Sequence, residues 1–143
     1  MLFRSSNGQP VTSEDYIASI KRWAARDSMG QKMMGSVASL EAVDAKTFKM
    51  TMKEPYGLVL QSLGKPSSNV PFMMPKKTAE TDPMQQIKVE DVIGSGPFIF
   101  KADEWKPGEK AVFVKNPTYK PRDRKSTRLN SSHRSLSRMP SSA

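Results

Sequence analysis

Apolar residues recur at helical spacing early in the chain. Tyr16, Ile17, Ile20, Trp23 and Ala24 fall on one stripe of a 3.6-residue period. Thr12 precedes the run as an N-cap, and Asp15 three residues on makes a capping box in which aspartate replaces the longer acid. Glu14 and Asp15 in the first turn, and Lys21, Arg22 and Arg26 towards the end, complement the helix dipole. This pattern predicts an amphipathic helix whose Tyr16 and Trp23 pack against a sheet. Residues 28–35 predict a short Met-rich helix, weakened by Gly30 and Gly35, in which Met29, Met33 and Met34 serve as adaptable core fillers. Residues 37–43 and 47–53 then read as two strands about an Asp44-Ala45-Lys46 turn. In the second, Phe48, Met50 and Met52 alternate with Lys49, Thr51 and Lys53, so that one face is buried and the other wet.

The pattern then loosens. Residues 56–63 have enough apolar character for a short helix stopped by Gly64 and Pro66. Pro71, Pro75 and Pro83 interrupt regular structure over residues 67–83, leaving a long loop of the kind that often carries function, with an extended run at 70–74. At the start, residues 2–4 read as the end of a strand before an Asn7-Gly8 turn. The last strong pattern is residues 92–119. Two apolar runs, 97–100 and 111–114, flank a polar segment ending in Lys106-Pro107-Gly108-Glu109, which predicts a β-hairpin. Gly94-Ser95-Gly96-Pro97 at its entrance supplies a tight backbone bend, and Pro97 suits a first strand position because it has no amide to donate.

Ile93 to Phe98, a charged turn, and the closing Asn116, Pro117 and Tyr119 resemble the extracellular solute-binding proteins of family 5, the peptide- and nickel-binding receptors of bacterial ABC importers. A second segment, Asn7-Gly8-Gln9-Pro10-Val11-Thr12-Ser13-Glu14-Asp15, is similar to the family's stretch leading into a helix, with Asn7 where an acid is usual and Ser13 where alanine is usual. The resemblance spans roughly residues 3–121. It implies an incomplete mixed α/β (α+β) fold, part of a periplasmic-binding-protein type II lobe, and a non-catalytic substrate-binding component with no cofactor or metal. The implied partners are a peptide or small-molecule solute and an ABC permease, in the periplasm or outside the cell. It also places residues 67–83 where the chain crosses between lobes, making Ser67, Ser68 and Asn69 candidate ligand contacts. Gly94, Ser95, Gly96, Pro97, Asn116 and Tyr119 enter as structural residues of the family motif.

The chain of 143 residues is about one domain long. No window approaches the ~18 consecutive apolar residues of a membrane span, and residues 1–5 lack the apolar core of an export signal. With a family motif so close to Met1, the expectation is an internal piece of a longer protein. The absence of cysteine excludes disulfides and thiolate sites. The net charge of +9 raises a nucleic-acid reading, but its distribution weakens that. Residues 125–143 contribute Lys125, Arg128, Arg134 and Arg138 without an acid, while in the remaining body bases alternate with acids. Two units follow: residues 1–124, a partial solute-binding domain, and residues 125–143, a serine- and arginine-rich tail with no period and an expected lack of order. The tail resembles translated sequencing-adaptor DNA and is expected to be non-native. The alternative is a small basic nucleic-acid-binding module using that tail.

Catalytic patterns fail on their chemistry. Ser62-Leu63-Gly64-Lys65, Ser67-Ser68-Asn69 and Lys77-Thr78 mimic the three motifs of penicillin-recognising enzymes, but the first two are almost contiguous and Ala79 replaces the third motif's glycine. Gly94-x-Gly96 is no nucleotide cradle, since Pro97 removes an amide and no lysine follows in frame. The single histidine, His133, lies in the tail, leaving no Ser-His pair and no His/Cys cluster. The acidic pairs Glu90-Asp91 and Asp103-Glu104, set on strands, would point to opposite faces and serve solvation.

Overall fold

The fold was analysed as a computed structural model, which describes residues 3–66 and 69–119. Helix α1 spans Ser13–Arg26 and α2 spans Ser28–Gly35. Strands β1 (Val37–Ala42) and β2 (Phe48–Met52) form an antiparallel pair. Short helices α3 (Val59–Leu63) and α4 (Lys76–Ala79) follow, and β3 (Phe98–Phe100) with β4 (Phe113–Lys115) make a second antiparallel pair.

The predicted start of α1 is realised. The Asp15 carboxylate accepts from the Thr12 amide at 2.7 Å and from its hydroxyl at 3.0 Å. Ile20, Trp23 and Ala24 of α1 and Met33 of α2 form the buried core, with Leu40, Phe48, Met50 and Leu63 packed on it. Tyr16 stacks on Phe48 with ring centroids 6.2 Å apart, so the helix does pack on the β1–β2 pair. The Asp44 turn closes as its side chain predicts, with Asp44 Oδ1 accepting from the amides of Lys46 and Thr47 at 2.6 and 2.9 Å. Asp44 is held below its ordinary pKa, chiefly by the Lys46 amide and then by its hydrogen bond to Thr47.

Asp27 joins the two helices. It ends α1, and its Oδ1 accepts from the amides of Met29 and Gly30, both at 3.0 Å, as the N-cap of α2. Its other oxygen meets Lys65 Nζ at 2.5 Å, and that ammonium lies 5.7 Å from the centre of the Trp23 ring. The hydrogen bond from Lys65, followed by the Gly30 amide, lowers the Asp27 pKa from the ordinary 3.8. Gly30 is needed for close packing: a Cβ there would lie 2.7 Å from Ala24 Cα and 3.0 Å from the Trp23 ring.

Several expectations are corrected. Arg22 does not extend into solvent to complement the dipole; it is buried, with its guanidinium hydrogen-bonded to Thr81 O, Thr81 Oγ1 and Gln85 O. The run at 70–74 forms no strand, and α4 interrupts the stretch read as loop. The second hairpin strand begins at Phe113, two residues later than its apolar run, because Phe100 pairs with Phe113 and Ile99 with Val114. Glu90-Asp91 and Asp103-Glu104 lie in 3-10 turns, not strands. The bend predicted at the hairpin entrance falls at Gly96 and Pro97 without a left-handed residue; positive φ occurs at Gly8 (82°) and Gly108 (75°), each at a sequence-predicted turn. The tail 125–143 and Leu2 lie outside the described residues.

Two measurements check this packing. Gly30→Ala is expected to lower stability by about 1–3 kcal/mol through overpacking. Gly35→Ala, with nothing within 4 Å of the added carbon, is expected to leave stability unchanged or raise it slightly; thermal melts of both variants decide. Because the Asp27 pKa is depressed, its contribution is complete above 3.8 and fades as pH falls through the lower folded-state value. Urea unfolding should therefore show Asp27→Asn less stable than the parent at neutral pH, the gap narrowing below pH 3.8.

Candidate functional site: an open cleft beside the Gly94-Ser95-Gly96 wall

The irregular chain between Asn69 and Gln85 has no sheet ladder of its own among the described residues, so its backbone groups need other partners. Helix α1 supplies them. Trp23 Nε1 donates to Asn69 O at 2.9 Å, Ser19 Oγ accepts from Met74 N at 3.0 Å, Asp15 Oδ1 accepts from Lys76 N at 2.7 Å, and Arg22 holds Thr81 and Gln85. Positions 15, 19, 22 and 23 share one helical face. This polar stripe was missed in the sequence because Asp15 read as a cap, Arg22 as a complement to the helix dipole and Trp23 as packing, while the acceptors and donors they meet are remote in sequence.

Anchored this way, residues 73–77 form one side of a cleft of about 850 Å³. The Asn7-Gly8 turn and the segment from Phe3 to Thr12 form another, closed by an Arg4–Pro10 bridge and the Val11 N to Phe3 O bond of 2.7 Å. The third side is Ile93, Gly94, Ser95 and Gly96 with Thr118 and Tyr119. Ser6 N donates to Gly94 O at 2.7 Å and ties that wall to the turn.

The motif residues divide into lining and support. Gly94, Ser95, Gly96 and Tyr119 face the cleft, whereas Pro97 and Asn116 stand behind it. Asn116 is 5% exposed; its Nδ2 donates to Gly96 O at 3.0 Å, its amide donates to Pro97 O at 2.8 Å, and its Oδ1 accepts from Thr118 N at 3.1 Å. It therefore joins the strand entrance to the chain leaving β4. Asn69 is exposed, does not line the cleft, and contributes its carbonyl to Trp23. Ser67 and Ser68 lie outside the described residues.

No catalytic grouping forms among the described residues. Ser62 is fully buried with its hydroxyl 3.3 Å from Tyr56 Oη, and Lys65 is committed to Asp27, so the apparent Ser-x-x-Lys pair offers no accessible nucleophile. No group of three or more His, Cys, Asp or Glu side chains could hold a metal among these residues. Lys76 pairs with Glu14 at 3.0 Å and Glu80 at 3.8 Å; the Glu14 hydrogen bond chiefly raises its pKa. The cleft itself is an apolar surface with a few polar groups held by a fixed scaffold, the general make-up of a small-molecule site.

The fold defined here is shared with a solved structure. NikZ from Campylobacter jejuni, crystallised in complex with Ni(L-His), superposes with a TM-score of 0.60 at 24% identity, covering 82% of this chain and 23% of NikZ. In sequence, residues 6–132 match the bacterial extracellular solute-binding proteins, family 5 Middle, and the chain belongs to that family. It is 39% identical over 116 residues to the probable peptide ABC transporter periplasmic-binding protein y4tO of Sinorhizobium fredii, covering 81% of this chain and 21% of that protein. It is 26% identical to the probable D,D-dipeptide-binding periplasmic protein DdpA of Escherichia coli, covering 80% of this chain and 22% of DdpA. The chain thus spans about a fifth of the length of these relatives.

Asn116→Ala is expected to cost about 1–3 kcal/mol, because it removes a buried side chain that bonds both the Gly96 carbonyl and Thr118. Denaturant unfolding measures the loss. Amide exchange should show it concentrated at Thr118, whose N–H loses its acceptor, rather than in α1.

Proposed function

We propose that this chain is part of the substrate-binding component of an ABC importer that captures peptides or related small solutes and performs no chemistry on them. The observation that carries the reading is the family match over residues 6–132, laid on a body that presents an open cleft. The names of y4tO and DdpA support a peptide as the solute class, and support a periplasmic or extracellular location with a permease as partner. In this reading residues 1–124 are the receptor portion and 125–143 a separate tail, although the family match continues to residue 132. Ser67, Ser68 and Asn69 enter as polar contacts to the solute in the full-length receptor, away from the cleft described above in the case of Asn69. Gly94 to Pro97, Asn116 and Tyr119 shape the site.

Receptors of two lobes trap a solute by contacts made only in the closed arrangement, so affinity depends on both lobes. A chain spanning about a fifth of its relatives supplies only some of those contacts. Calorimetric titration of the 143-residue chain with di- and oligopeptides is expected to show no micromolar binding; micromolar affinity would refute this division of the site. The function itself is tested by exchanging the matching 116-residue stretch of y4tO for this chain's and measuring peptide binding. A chimera that folds and binds the peptides y4tO binds supports the reading, and a folded chimera that binds none overturns it.

A further inference from the structure

Gly94 and Gly96 have no local reason to be glycine. Neither has a positive φ, and a Cβ at either would find nothing within 4 Å. What glycine still provides is an unshielded backbone on the cleft wall. Among the described residues, more of its amides than of its carbonyls lack a partner. The carbonyls of Gly94 and Gly96 are taken up by Ser6 N and Asn116 Nδ2, while the amides of Gly94, Ser95 and Gly96 have no acceptor among the described residues.

The side chains sharing the cleft are biased the same way. Its one acid, Asp15, already accepts from Thr12 and Lys76, and Lys76 is paired with Glu14 and Glu80. Arg4, whose Nη1 donates to Gly8 O at 2.7 Å, and Lys77, also in the lining, have no carboxylate partner among the described residues. Asn7 Oδ1 accepts from Ser5 Oγ and Gln9 N, which leaves the Asn7 amide nitrogen as a donor. The cleft is therefore rich in uncommitted donors and positive charge beside an apolar lining that includes Tyr16, Met73 and Ile93.

Resting on the solute-binding reading above, we propose that this wall is a carboxylate-binding subsite. Backbone amides of the Gly94 to Gly96 wall donate to the anionic end of a solute whose apolar body lies along the cleft, and Arg4 and Lys77 supply the countercharge. Pro97 ends the run of amides, which suits a single carboxylate better than a polyphosphate.

The test titrates the nitrogen-15-labelled 143-residue chain with N-acetylphenylalanine and with N-acetylphenylalanine amide, which differ in charge at one end. The acid is expected to shift the amide signals of Gly94, Ser95 and Gly96 with millimolar affinity, about ten-fold tighter than the amide. The preference should disappear in a Lys77→Gln, Arg4→Gln double variant. Equal responses to both probes, or none at these three amides, would overturn the proposal. The y4tO chimera gives a second measurement, comparing peptides with their carboxamides. Peptide binding indifferent to amidation and to Lys77→Gln sinks the subsite but leaves the receptor reading standing, as would be seen if another part of the receptor fills the cleft. Loss of all peptide binding by the folded chimera sinks the receptor reading, and the titration of the chain alone then decides the subsite.

Discussion

The structure depends on α1 being used on two faces at once. One face buries Ile20, Trp23 and Ala24 against α2 and the β1–β2 pair. Burial of large apolar side chains such as Ile20 and Trp23 is worth roughly 1.5–3 kcal/mol each, which makes this the main source of cohesion. The adjacent face carries Asp15, Ser19 and Arg22, which satisfy backbone groups of a segment with no ladder of its own. Trp23 serves both, burying its ring while its indole N–H holds Asn69. Without that second face, residues 69–85 would have to find water for those groups and could not stand as one side of a cleft.

The same economy appears at Asp27. One carboxylate ends α1, caps α2 and pairs with the lysine that follows α3. Three segments are thereby held around the edge of the Trp23 ring. Gly30 lets α2 approach closely enough for this to happen. A residue that looked like a weak point of a short helix is the contact that allows two helices to meet.

The hairpin of β3 and β4 is built differently. Phe98 and Phe113 are 61% and 59% exposed, and the pair's own packing is a small aromatic cluster in which Phe100 meets Phe113 and Trp105. Asn116 and the Ser6 to Gly94 bond fasten its base to the rest of the body. The cleft lies beside that base, which explains why the family motif residues are half lining and half support.

Local order was legible wherever a single side chain acts on its own neighbourhood. The Thr12–Asp15 cap, the Asp44 turn, the turns at Gly8 and Gly108, and the apolar stripe of α1 all follow from interactions within a few residues, and the motifs at residues 7–15 and 93–119 were enough to indicate the family. The registers and partners of distant segments were not legible. Arg22 read as a solvated charge because its acceptors at Thr81 and Gln85 are remote in sequence. Gly94 and Gly96 suggested a bend but keep ordinary φ values, and β4 begins later than its apolar run because pairing with β3 sets the register. The sequence by itself determined the first helix, the turns and the family, since these rest on local bonding and residue pattern. Only the tertiary structure decided which carbonyls are occupied, which amides and cations remain free, and hence what the cleft can hold, because those depend on groups brought together from across the chain.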